Sequence, residues 1–249
     1  MDPYAFHQHL CNHWRIEVFD TLSHHAAAKG KKVKFVQVGA NVGASDGDPV
    51  VGYVANHGWQ GALVEPVPYL FDKLKANYQA YSGLSFFQVC CSNREGTLPF
   101  YMVEEASAHE SVLGPFLSSF EKEVILKHTV YSPNLSSFIR EIQVETVRID
   151  TIIQRADLRD LNALVVDAEG HDDKVIGGLN LDLYCPEIIM LEHFHLSFDG
   201  LRNTHERLLD YGYKAIWMYS EIIYVRVSDL NYSLVKKIIS NSEDMYRLS

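Results

Sequence analysis

Residues 34–43 read Lys-Phe-Val-Gln-Val-Gly-Ala-Asn-Val-Gly, and no other stretch of this chain narrows its fold as far. Phe35, Val36 and Val38 form a short apolar run that leads into two glycines, Gly39 and Gly43. A run of that length bounded by glycine is a buried strand entering a tight turn. A second apolar run, residues 61–65, ends on an acid, Glu65, 22 residues beyond Gly43. Strand, glycine turn, helix, strand and an acid about 20 residues on is the layout of a doubly wound α/β domain. Such domains hold an adenosine-containing ligand at the carboxyl ends of their strands, with the acid on the ribose.

The rest of the chain continues the alternation. Asp48 is placed to cap a helix with Pro49 in its first turn and Gly58 at its end. Pro68 opens the next helix, with Leu70, Phe71 and Leu74 at helical spacing. Residues 84–90 read as a third strand, 97–103 as a hairpin strand added after it, and 144–149 as another strand followed by a short helix. Residues 161–167 form a fourth core strand ending on Asp167, with Gly177 and Gly178 closing the helix beyond it. Residues 186–192 form a fifth, ending on Glu192 and followed by His193. An amphipathic helix over 201–211 stops at Gly212, residues 213–218 and 222–227 pair as an antiparallel hairpin, and Asp229 caps a last helix to about Arg247. The pattern predicts an α/β, Rossmann-like, doubly wound and mostly parallel seven-stranded sheet that closes with an antiparallel C-terminal hairpin. No linker, repeat or composition shift divides it, so residues 1–249 are expected to form one domain.

Two segments stand outside that scheme. Residues 1–32 form an N-terminal extension whose helix, over 4–28, carries Phe6, Leu10, Trp14, Val18, Phe19 and Leu22 at helical spacing. That helix is expected to pack beside the domain or over its active-site edge. Its histidines, His7, His9, His13, His24 and His25, have no acids at ligand spacing and read as a partly solvated face. Residues 104–142 are punctuated by serines and by Pro115 and Pro133, and predict a lid-like insertion near the ligand-binding edge.

Composition excludes some partners. The formal charge is −10, and Lys and Arg cluster only at residues 29–34, so nucleic acid is not expected. No apolar run approaches the roughly 18 residues of a membrane span, and the N-terminus lacks a basic stretch before an apolar core. The four cysteines, Cys11, Cys90, Cys91 and Cys185, include no C-x-x-C pair and read as reduced thiols of a cytoplasmic protein.

Four motifs carry a family resemblance: Val36-Gln-Val-Gly-Ala-Asn-Val-Gly43, Leu63-Val-Glu-Pro-Val-Pro68, Val165-Val-Asp-Ala-Glu-Gly-His-Asp172 and Leu191-Glu-His193. In this order and spacing, over about residues 33–227, the chain resembles the FkbM family of S-adenosylmethionine-dependent methyltransferases. The terminal hairpin resembles the reversed last strand of class I methyltransferases. Relatives often place an acid directly after the asparagine of the glycine turn. Here Val42 stands there, with Asp46 and Asp48 just beyond, which leaves open the acid that meets the methionine ammonium.

The resemblance implies S-adenosylmethionine as cofactor and hydroxyls of sugars, polyketides or other small metabolites as acceptors. Gly39 and Gly43 let the backbone approach the amino-acid portion, and Asn41 offers a donor and an acceptor. Glu65 is expected on the ribose hydroxyls and Asp167 beside the cofactor, while Cys91, Ser92 and Asn93 lie where such folds touch adenine. Methyl transfer depends chiefly on alignment, and an oxygen acceptor must also lose its proton. His193 is the expected general base because imidazole titrates near neutral pH, with Asp167 or Glu169 orienting the acceptor or the ring. Asp167, Glu192 and His193 are also candidates to hold a divalent ion such as magnesium. Two other classes fit a fold of this kind. One is a dinucleotide-dependent oxidoreductase, against which the turn lacks Gly-x-Gly-x-x-Gly; the other is a non-catalytic cofactor-binding module.

Overall fold

The computed structural model describes residues 3–44, 47–109 and 114–226, with only the backbone for 3–12, 109 and 115. The expected last helix from Asp229, residue 227 of the hairpin, Asp46 and Ser111 lie outside the described residues, as do the side chains of His7, His9 and Cys11. Eleven strands follow one another among these residues: β1 (Lys34–Val38), β2 (Gln60–Val64), β3 (Leu84–Phe87), β4 (Cys90–Cys91), β5 (Gly96–Val103), β6 (Ser118–Ser119), β7 (Ile139–Val147), β8 (Ala163–Val166), β9 (Ile188–Glu192), β10 (Tyr213–Trp217) and β11 (Glu221–Arg226). The helices are α1 (Pro3–Ala28), α2 (Val51–His57), α3 (Pro68–Tyr78), α4 (Lys122–Lys127), α5 (Ile149–Arg155), α6 (Asp172–Gly177) and α7 (Phe198–Asp210).

The large sheet has seven strands in the order β10-β11-β9-β8-β1-β2-β3. Its five inner and β3-side strands run parallel, while β11 is antiparallel to both β9 and β10. This is the expected Rossmann-like architecture with its reversed terminal hairpin. Alternation along each strand sends Phe35, Leu63, Val165, Met190 and Ile223 to one face and Val36, Val64, Val166, Leu191 and Tyr224 to the other. Both faces are buried, which is why the strands read as continuous apolar runs. On the first face α1 packs through Val18, Phe19 and Leu22, and the Trp59 indole N–H donates to Ser23 Oγ at 3.0 Å. On the second, α5, α6 and α7 contribute Ile152, Ile153, Val175, Ile176 and Leu208. The N-terminal helix is therefore part of the core of one sheet face.

Two strand expectations are corrected. The third strand stops at Phe87, and Cys90–Cys91 leave the large sheet to pair with β7. A second sheet results, in the order β4-β7-β5-β6, with β5 and β7 antiparallel from Gly96↔Thr146 to Val103↔Ile139. β7 starts at Ile139, inside the expected insertion. Residues 142–145 alternate apolar and polar, the pattern of a strand with one wet face, and β7 buries Val144 while exposing Gln143 and Glu145. The insertion is thus a long excursion between two paired strands, with one end fixed by each.

Candidate active site

The tips of β1, β2, β8 and β9 meet at the carboxyl edge of the large sheet. Gly39 has φ +73°, and a Cβ there would lie 1.7 Å from the carbonyl oxygen of Asp167. Only glycine lets the two tips approach this closely. Asn41 follows with φ +52°, and its backbone N–H donates to Glu65 Oε2 at 2.9 Å. Glu65 Oε1 accepts from Val67 N–H, also at 2.9 Å. This acid is 3% exposed, and burial lifts its pKa to about 7 although both N–H groups favour the charged form. Each oxygen keeps a second lone pair, and the residue lines the cavity described below.

Gly43 does other work. With φ +55°, a Cβ there would meet the Tyr78 ring at 2.4 Å and Leu74 at 2.5 Å, so this glycine seats the turn on α3 and is not in the cavity wall. α2 starts later than expected, with Val50 as its N-cap and Pro49 before it; Asp48 Oδ1 still accepts from the N–H groups of Val50 and Val51, while Oδ2 accepts from Ala44 N–H and Tyr78 O–H. Asp48 is therefore engaged in closing the turn.

Behind the turn lies a small cavity of about 90 Å³, below the ~300–1,000 Å³ of small-ligand sites, so a ligand of cofactor size has to displace part of its wall. Gly39, Asn41, Glu65 and Pro66 form one wall. Val89, Cys90, Cys91 and Phe100 form an apolar wall, and burial pushes both thiols up into the neutral form. Phe116, Ser118 and Phe120 close it from the insertion. Asn41 Nδ2 donates to Phe116 O at 3.3 Å, and Ser119 Oγ to Glu169 O at 2.8 Å, fixing that segment to both strand tips. Asp167, Ala168 and Glu169 complete the lining. Three carboxylates thus face the cavity, and its lining contains no Lys, Arg or His.

The surroundings of these acids disfavour charge. Asp167 opens onto the cavity yet is ringed by protein, and this confinement raises its pKa to about 6. Glu169, at φ +48°, rises to about 8 through burial and then through Asp167 and Asp172. Asp172 was part of the acid-rich run 167–173 in the sequence, but nothing there showed its task. Fully buried, it accepts from Ala168 N–H through Oδ2 and from Glu192 N–H through Oδ1, each at 3.2 Å. It ties the exits of β8 and β9 together, and burial lifts it to about 8.

Other expected residues lie elsewhere. Ser92 and Asn93 line a separate groove with Arg94 and Lys174, where Ser92 Oγ is 3.0 Å from His171 Nε2. β4 turns their side away from the cavity and leaves Cys90 and Cys91 on it. His193 is also corrected. Its backbone N–H donates to Ser220 O at 2.8 Å, its Nε2 is 3.3 Å from Met218 O, and its ring rests against Trp217. It begins the turn held by the β10–β11 hairpin and does not line the cavity. The set Asp167, Glu192 and His193 is accordingly not assembled as a metal centre. The residues gathered there are Glu169, Glu192 and His195.

No helix among the described residues is long and apolar enough to cross a membrane. Solved structures that match the chain include precorrin-6y C5,15-methyltransferase from Geobacter metallireducens GS-15, at 12% identity over 78% of each chain and a TM-score of 0.36. The Methanococcus jannaschii fibrillarin pre-rRNA processing protein shows 7% identity over 78% of this chain and 66% of its own, with a TM-score of 0.37. A TehB-like SAM-dependent methyltransferase from Corynebacterium glutamicum shows 10% identity over 89% of this chain and 98% of its own, with a TM-score of 0.33. No curated protein sequence matches significantly. The weight therefore falls on the match of the methyltransferase FkbM domain to residues 37–217, which runs from within β1 to the end of β10. Because that match takes in well over half of the chain, the protein belongs to the FkbM family of S-adenosylmethionine-dependent methyltransferases.

Proposed function

We propose that this protein methylates a hydroxyl oxygen of a small-molecule or glycan acceptor, such as a sugar, polyketide or other metabolite. The observation that carries the cofactor reading is the sign of the cavity: Glu65, Asp167 and Glu169 face it and no cation does. Bound S-adenosylmethionine supplies an electrophilic methyl group on a sulfonium, with a cationic ammonium nearby. Asp167 is ionised at neutral pH, and a bound sulfonium and ammonium would draw Glu65 and Glu169 toward their charged forms as well, whereas the pyrophosphate of a dinucleotide would meet no cation in this lining.

Within that reading Glu65 takes the ribose hydroxyls on its remaining lone pairs, and Gly39 and Asn41 border the amino-acid portion. The apolar wall of Val89, Cys90, Cys91 and Phe100 suits the adenine. With His193 turned to the hairpin, Asp167 is the group that takes the acceptor proton: its pKa near 6 leaves it ionised at neutral pH. Glu169 orients the acceptor. Residues 114–120 act as a lid, since they wall the cavity through contacts that ligand entry must break. The free thiols Cys90, Cys91 and Cys185 support a cytoplasmic setting.

Calorimetry with S-adenosylhomocysteine and with NAD tests the reading. S-adenosylhomocysteine is expected to bind and NAD not to; the reverse result overturns it. Glu65→Ala is expected to weaken S-adenosylhomocysteine binding by about 1–3 kcal/mol, the range for lost buried hydrogen bonds. Asp167→Asn should lower turnover far more than cofactor affinity, and wild-type turnover should rise with pH through about 6 as Asp167 loses its proton.

A further inference from the structure

Beyond the cavity wall, Glu169, Glu192 and His195 each place one donor atom within 4.8 Å of the other two. They come from the exits of two adjacent parallel strands: Glu169 follows β8, Glu192 ends β9, and His195 lies in the turn after it. The approach is built into the chain. Gly170 has φ +92°, and a Cβ there would lie 3.2 Å from His195 Cβ, so a side chain at this position would press the two turns apart. Ser119 holds the Glu169 carbonyl from the other side.

The cluster is short of partners. The His195 side chain is only 6% exposed, and its Nδ1 has no hydrogen-bond partner. Glu192 Oε2 is buried and equally unpartnered. So is Nε2 of His128, whose ring centroid lies 5.8 Å from that of His195. Buried polar atoms are nearly always satisfied, so the orphaned Glu192 Oε2 beside the His195 ring marks a place where something else binds, while His195 Nδ1 would carry the ring proton once Nε2 takes a ligand. His195 Nε2 lies 3.5 Å from Glu169 Oε2 without forming a hydrogen bond. That spacing suits two ligands of one ion, since bonds of about 2.1 Å at tetrahedral angles put donor atoms about 3.4 Å apart. The cationic groups of a ligand in the main cavity do not answer for Glu192, which is not in that cavity's lining.

We propose that Glu169, Glu192 and His195 form a binding site for one first-row divalent metal ion, such as manganese or zinc. Two carboxylates match a double positive charge. The imidazole nitrogen favours these ions over magnesium and calcium, which prefer oxygen alone. Through Glu169, which also lines the cavity, the ion would border the acceptor side. Glu169 is shared with the cavity of the methyl-donor reading, but the test of the site reads metal binding without the cofactor and so fails or holds apart from that reading.

Full-length protein stripped with chelator is titrated with manganese, followed by electron paramagnetic resonance, and with zinc, followed by calorimetry. One saturable equivalent of either ion is expected, with affinity at least tenfold weaker in Glu192→Gln. In the wild type, bound manganese should show nitrogen coupling from one imidazole in electron spin echo spectra, and this coupling should vanish in His195→Ala. Absence of saturable uptake of both ions, unchanged affinity in Glu192→Gln, or bound manganese without nitrogen coupling would each overturn the proposal. The nitrogen coupling needs only wild-type protein, so it decides the matter even where a variant does not fold. S-adenosylhomocysteine binding measured on the same samples reports separately on the cofactor site.

Discussion

Asp172 and Glu65 share one habit: each is a buried carboxylate whose two oxygens accept from two backbone N–H groups. Glu65 fastens the glycine turn to the end of β2, and Asp172 fastens the exit of β8 to that of β9. Removing Asp172 leaves two buried N–H groups unpaired. Asp172→Ala is therefore expected to lower unfolding stability by about 2–4 kcal/mol in denaturant titration, with Asp172→Asn between it and the wild type because one acceptor oxygen remains. A loss below about 1 kcal/mol would mean that water replaces the carboxylate. The histidines carry a different lesson at this scale. His193 and His195 are two positions apart and equally good bases by composition. Which of them meets the acids depends on the turn after β9, where the Ser220 carbonyl holds residue 193 to the hairpin and the glycine at 170 admits residue 195. Neither contact has a local signal in the sequence.

At the scale of elements, the glycine turn between β1 and α2 sets the geometry of the edge. Gly39→Ala would force a Cβ onto the Asp167 carbonyl at a backbone conformation that L-residues disfavour. The expected result is a loss of roughly 3 kcal/mol or more of stability together with S-adenosylhomocysteine binding, read by thermal melts and calorimetry. Wild-type stability in this variant would show that the strand tips can separate freely. The insertion was readable only in part. Its serines and prolines marked irregular chain, but they did not show that its last residues enter a strand or that Phe116 and Phe120 reach the cavity. Antiparallel pairing of β5 with β7 spans residues separated by a long excursion, and a pairing partner that distant leaves no local pattern. If residues 114–120 are a lid, protease cleavage within 104–142 should slow when S-adenosylhomocysteine is added; equal cleavage with and without it would argue for a fixed wall.

Over the whole molecule, the acid excess of the chain reappears as buried carboxylates concentrated at one sheet edge. Burial raises Glu65 to about 7 and Asp172 to about 8, above their ordinary values of 4.5 and 3.8. Between those limits the native state holds more protons than the unfolded chain. The stability these groups confer is complete below their unfolded values and is lost as pH rises through 7 to 8. Ligand-free, chelated protein is thus expected to melt roughly 5 °C lower at pH 8.5 than at pH 5.5, and a melting temperature that rose over this range would contradict these assignments. The sequence by itself determined the seven-stranded alternation, the glycine turn, the acids at the ends of three strands and the reversed hairpin. Each is written in local periodicity, in a φ that only glycine takes easily, or in a strand's terminal residue. Tertiary structure alone decided which face of each terminal residue meets the cavity. It placed Cys90 and Cys91 there and sent Ser92 away, turned His193 to the hairpin and brought His195 to Glu169 and Glu192. Those choices rest on contacts between segments far apart in the chain, and a one-residue shift in a strand or turn reverses the direction of a side chain.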